Sequence, residues 1–163
     1  MKKTYYIFRH GLTLAVKRKR WYWQTLYSAQ IVEEGKPSIE RLAEYMKYVK
    51  ADYYVCSPFI RCKQTATIVS KATGKKFVTD KRIGEYVFEF PWNFKKRILR
   101  FITDMEASDY KTIVICTHSI AIEMLIQFVT NGKLRFSHRL TAPLTGVLTI
   151  IKDGKITEKN FNS

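Results

Sequence analysis

Cysteine is scarce in this chain, and acidic residues are half as common as basic ones. Cys56, Cys62 and Cys116 are the only cysteines in 163 residues, at spacings that match no metal site. They read as reduced thiols of a cytoplasmic protein. No metal-ligand cluster and no Gly-rich phosphate loop appears, so neither a metal nor a nucleotide cofactor is expected. No stretch of about 18 consecutive apolar residues exists, which argues against a membrane span. The apolar run after Met1-Lys2-Lys3 covers only residues 5–8 before Arg9 interrupts it, too short for a secretory leader. There is no repeat and no linker, so residues 1–163 are expected to form a single domain. An apolar content of 46% argues for a packed core rather than disorder.

The shortage of acid has its own meaning. Twenty-nine basic residues face 14 acidic ones, a formal charge of +15, and no acidic residue occurs in 1–31. Such an excess suits an anionic partner: nucleic acid, acidic lipid or a phosphorylated small molecule. It also suits a chain-wide lysine bias with no partner behind it. The densest stretch is Lys17-Arg18-Lys19-Arg20, followed by Trp21-Tyr22-Trp23. Phosphate contacts and stacking on nucleic acid, a cationic lid over an active site, and a solvated turn all fit it.

Tyr5-Tyr6-Ile7-Phe8 reads as a buried strand that ends abruptly in Arg9-His10-Gly11. Gly11 is expected to let the backbone turn sharply or a ligand approach. Residues 14–31 have no clear assignment. Pro37-Ser38 starts a helix with Ser38 as its cap, and Ile39, Leu42, Ala43, Met46 and Val49 mark its inner face. Residues 52–56 form a second strand, and the helix after Ser57-Pro58 ends at Gly74. Residues 77–79 suit a short strand, and 81–91 a loop carrying Glu85 and Glu89. Phe94, Ile98, Phe101, Ile102 and Met105 mark a further helix. Residues 112–117 are a β-branched strand running into His118, with a helix following to Asn131-Gly132. Residues 145–151 form a strand, and Asp153-Gly154 a hairpin turn into Ile156. Strands alternate with helices and are apolar throughout. An α/β three-layer sandwich is expected, with a mostly parallel sheet and helices on both faces.

In such folds ligands bind beyond the carboxyl ends of the strands. Three strands here end in residues of one chemical kind: Arg9 and His10, then Arg61 through Ser57-Pro58, then His118. Two helices would also point their N-termini there, adding donors and a dipole that favours an anion. Two arginines and two histidines in one place suit a phosphoryl group.

These blocks resemble the histidine phosphatase superfamily, which includes phosphoglycerate mutase-like enzymes. Arg9-His10-Gly11-Leu12-Thr13 matches its opening signature. The run from Ser57-Pro58 through Arg61 to Thr65-Ala66 matches its second block, and Ile113 to His118 its third. Ile83-Gly84-Glu85 resembles its acidic block. The resemblance implies a metal-independent phosphatase acting through a phosphohistidine. His10 would be the nucleophile, Arg9, Arg61 and His118 would bind the phosphoryl oxygens, and Glu85 would be the general acid. Each role is chemically sound on its own account. Glu89, in the same loop, is the alternative acid.

Some features depart from the family pattern. Ser119 follows His118 where glycine is usual, and a serine there could cap the next helix. The asparagine that the family often has shortly after the opening signature has no match among residues 14–20. His138 matches no block. Cys56 and Arg61 have four residues between them, one too few for the cysteine-phosphatase loop. Two alternatives compete with hydrolysis: a phosphomutase, and a basic nucleic-acid-binding protein on the same scaffold. The intact Arg9, His10, Arg61 and His118 make nucleic acid the weaker partner. A mutase must shield its phosphoenzyme from water, which usually takes insertions for which 163 residues leave little room.

Overall fold

The computed structural model describes residues 3–20, 22–130 and 144–162, except the side chain of Trp23. His138 and the Asn131-Gly132 helix stop lie outside them. The elements in chain order are β1 (Thr4–Arg9), α1 (Leu14–Lys17), α2 (Lys36–Met46), β2 (Tyr53–Cys56), α3 (Ile60–Thr73), β3 (Val78–Thr79), α4 (Pro91–Ala107), β4 (Thr112–Thr117), α5 (Ser119–Val129), β5 (Val147–Lys152) and β6 (Lys155–Asn160). The sheet order is β3-β2-β4-β1-β5-β6. β3, β2, β4 and β1 run parallel, and β5 pairs antiparallel with β1 and β6.

Period-two alternation divides the strand side chains between two cores. Tyr5, Ile7, Ile113 and Ile115 pack against Phe94, Ile98 and Phe101 of α4 and Ile122 and Leu125 of α5. Phe8, Val114, Cys116 and Leu148 face the other way, onto Ile39, Leu42 and Met46 of α2 and Cys62 and Val69 of α3. The expected three layers are therefore present. Each fully buried Ile or Phe contributes about 1.5–3 kcal/mol of apolar transfer energy, enough to lock the strand register.

That register decides the site. Ile7 pairs with Ile115, Val55 with Ile115 and Arg9 with Thr117, so three strand ends lie side by side. The N–H of His10 donates to the Thr117 carbonyl and that of Ser57 to the Cys116 carbonyl, both at 3.0 Å.

Several local expectations change. Helix α2 begins at Lys36 with Gly35 at the cap position, and Pro37 occupies its first turn. Ser38 is not the cap; its hydroxyl donates back to the Gly35 carbonyl at 3.0 Å. The helix ends at Met46, before Val49. The loop after β3 opens with a helical turn, Lys81–Ile83, that Asp80 caps. Strand β5 starts at Val147, and Thr145 forms a lone bridge to Arg9. Asp153 and Gly154 both have positive φ, 51° and 73°, as a tight hairpin turn requires. Gly11 does not adopt positive φ. Its need is space: a Cβ there would meet the side chains of Ile31 and Ile39 at 3.2 Å.

Candidate active site

His10 is fully buried at the end of β1. Its Nδ1 lies 2.9 Å from the Gly11 carbonyl, which can only accept, so Nδ1 carries the proton. The Nε2 lone pair is then free, and Nε2 has no hydrogen-bond partner among the described residues. Burial, then the charges of Arg9 and Arg61, hold the imidazole well below its ordinary pKa. His10 is therefore neutral at physiological pH. The ring sits 5.2 Å from that of His118, centroid to centroid. The N–H of Gly11 donates to Thr65 Oγ1 at 2.8 Å, tying the signature to α3.

Arg61 lies in the first turn of α3 and is fully buried. Its guanidinium donates from Nη1 to the Leu26 carbonyl at 2.6 Å and lies 3.2 Å from His118 Nδ1 through Nη2. The rings of Tyr22 and Phe59 pack on it at 4.3 and 4.8 Å. The Tyr22 hydroxyl shares a hydrogen bond with Thr13 Oγ1 at 2.9 Å. The Arg61 Nε–H is buried with no partner among the described residues. Arg9 is partly buried, and its charge acts on Tyr22, Glu85 and Arg61.

His118 holds the cap position of α5, so Ser119 is the first helical residue and does not cap. His118 Nε2 lies 2.8 Å from Ser57 Oγ. In the neutral ring Nδ1 accepts from Arg61 and Nε2–H donates to Ser57. Burial, then the neighbouring His10, Arg61, Arg9 and Arg97, hold its pKa well below the ordinary value.

Glu85 closes the group. Its Oε2 lies 3.6 Å from Arg61 Nη2 and 3.3 Å from His118 Nδ1, and its side chain is only 12% exposed. Burial raises its pKa even though Arg61, the Tyr86 N–H, Arg9 and Arg97 pull it down. Glu89 is engaged elsewhere: both its oxygens accept from Arg97, the shortest contact being 2.6 Å.

Arg97 was not visible as a site residue in the sequence. From α4 it donates to the carbonyls of Arg82, Gly84 and Glu85 and to the Glu89 carboxylate. One side chain thus holds the whole loop that carries Glu85. Tyr22 and Leu26 are likewise in the site with no motif to announce them, whereas Ser57 and Thr65 belong to the second matched block but had no role assigned.

The five anticipated residues therefore come together at the carboxyl end of the central parallel strands. Among the described residues no group of three or more His, Cys, Asp or Glu side chains is arranged to hold a metal ion. The thiol of Cys56 is pushed up to about 12 by burial, the opposite of what a thiolate nucleophile needs.

A family model described as histidine phosphatase superfamily (branch 1) matches residues 5–92, more than half the chain. The chain belongs to the histidine phosphatase superfamily. The match contains Arg9, His10, Arg61 and Glu85, and His118 lies beyond it. No curated protein matches in sequence. Among solved structures, this histidine phosphatase is similar to a mycobacterial glucosyl-3-phosphoglycerate phosphatase, with 15% identity, 99% of each chain covered and a TM-score of 0.79. It is similar to a candidate alpha-ribazole-5'-P phosphatase of Escherichia coli at 18% identity, covering 99% of this chain and 97% of that one, TM-score 0.76. A phosphoglycerate mutase of Bacillus anthracis gives 17% identity, 99% and 93% coverage, and a TM-score of 0.69. At such identities these likenesses establish the shared fold. Among the described residues no helix of the histidine phosphatase is long and apolar enough to cross a membrane.

Proposed function

We propose that the protein hydrolyses a phosphomonoester or a phosphohistidine through a phosphohistidine at His10, with no metal required. One observation carries this reading. Two polar atoms of site residues, the His10 Nε2 lone pair and the Arg61 Nε–H, are buried and unpartnered among the described residues. Buried polar groups are normally satisfied. A nucleophile and a donor left open together are what a phosphoryl group would complete.

In this scheme Arg9, Arg61 and His118 hold the phosphoryl oxygens, supplying the positive charge that transfer demands. The His10 Nε2–P bond forms as the ester P–O bond breaks. Protonated Glu85 gives its proton to the leaving alkoxide. As a carboxylate it then takes a proton from water, whose oxygen attacks phosphorus and breaks the N–P bond. A carboxyl held protonated by burial suits the first half of this cycle.

Hydrolysis and mutase action share the first half. The mutase-named relative is almost entirely covered by this chain, so length separates the two less than the sequence suggests. The phosphatase-named relatives support hydrolysis. Rapid-quench labelling with a phosphorylated substrate should give an acid-labile, base-stable phosphoprotein, with phosphate released to water. His10→Ala should lose both label and turnover. Wild-type hydrolysis by His10→Ala would overturn the proposal.

A further inference from the structure

Once folded, the four cations of residues 17–20 are no longer equivalent. Lys17 Nζ pairs with Glu34 at 2.6 Å. Lys19 lies in the left-handed region, φ 52°. The N–H of Arg20 donates back to the Ala15 carbonyl at 2.9 Å, closing the end of α1 in a reverse turn. Beside that turn is a cavity of about 430 Å³ lined by Arg18 and Arg20 and by the apolar Leu14, Ala15, Ala29 and Ile31. Neither arginine forms an ion pair among the described residues, and no residue of the proposed catalytic group lines the cavity.

The cavity also has a position of interest. Its lining comes from one segment, residues 14–32, with Thr25 contributing from between Tyr22 and Leu26. The middle of that segment supplies the Tyr22 ring and the Leu26 carbonyl that hold Arg61. The ends are joined by the Thr13–Ile31 bridge and by a bond from the Val32 N–H to the Leu12 carbonyl at 2.8 Å.

We propose that this cavity is a second anion-binding site, separate from the phosphoryl pocket. Its ligand class is a small molecule joining a phosphate, phosphonate or carboxylate to a compact apolar body. Two guanidinium groups match such an anion bidentately. The apolar wall takes the body, and the volume is within the usual range for small ligands, about 300–1,000 Å³. Binding there would clamp the two ends of the segment and steady the groups that hold Arg61.

Phenylphosphonate is a suitable probe, because its P–C bond is not a phosphate ester. Calorimetric titration of the wild-type protein should show two equivalents. An Arg18→Ser/Arg20→Ser variant with an unchanged melting profile should keep one. Inorganic phosphate, which lacks the apolar body, should bind the lost site at least about tenfold more weakly. One wild-type equivalent that the variant loses would support this site and count against the phosphoryl pocket. Equal stoichiometry in both proteins would overturn the proposal. So would tight binding of single-stranded oligonucleotide that depends on Arg18 and Arg20 in a protein that ignores the phosphonate.

Discussion

Glu85 Oε2 lies 3.3 Å from His118 Nδ1, bringing the acidic loop onto the residue that follows β4 and holds the cap position of α5. A carboxyl group and an imidazole at that distance are coupled in their protonation. Protonating either one changes what the other can do.

The first prediction concerns the proton on Glu85. Glu85→Gln keeps the shape and removes the acid. Hydrolysis of an alkyl phosphate should fall by about 10² or more. An activated aryl phosphate, whose leaving group needs no proton, should lose much less. Because burial raises the Glu85 pKa, the wild-type rate on alkyl phosphate should fall as pH rises through that value. The variant should lack this limb. Equal losses on both substrates would remove Glu85 from the role, and a large selective loss in Glu89→Gln would move the role there.

Arg97 should act through Glu85 and not on substrate. Arg97→Met removes its donors to three loop carbonyls and to Glu89. The alkyl-phosphate rate should drop more than the aryl-phosphate rate, in the same direction as Glu85→Gln but by less. Arg97→Lys should recover part of the difference. A uniform loss on both substrates that tracked the melting temperature would reduce Arg97 to a structural brace.

Acid should destabilise the fold through its two buried histidines. His10 and His118 are both held well below the ordinary pKa, first by burial. The unfolded chain takes up these protons near pH 6.5, the folded one only at much lower pH. Between those values the unfolded state holds more protons, so stability falls as pH drops below about 6.5. Melting curves from pH 8 to 5 should show this fall, and His10→Gln should flatten it. The raised Glu85 pKa acts in the opposite sense over the same range, so a flat profile in Glu85→Gln as well would mean that these rings ionise normally in the folded protein.

Much of this protein could be read from the order of its residues. Period-two and period-3.6 patterns depend on local geometry, so the strands ending at Arg9, Cys56 and Thr117 and the layered α/β fold were legible. The Arg9-His10, Arg61 and His118 blocks were legible because each sits at the end of an element whose direction the alternation of strand and helix implies. Local details failed where a competing local bond or a tertiary contact overrode the expected preference. Ser38 turned its hydroxyl to Gly35 instead of capping, and Gly11 proved to be small because Ile31 and Ile39 press on it.

What only the tertiary structure decided are relations between side chains that no local pattern links. Arg97 and Glu89 are both ordinary surface-type residues in sequence, and their pairing engages the Glu89 carboxylate away from the Arg61–His118 group that Glu85 faces. The 17–20 stretch has no acid nearby in the chain, yet Glu34 takes Lys17 and leaves Arg18 and Arg20 to line a cavity. Charge and burial are set by everything that packs around a group, whichever part of the chain it comes from. The sequence names the groups, and their neighbours in space set which proton each one holds.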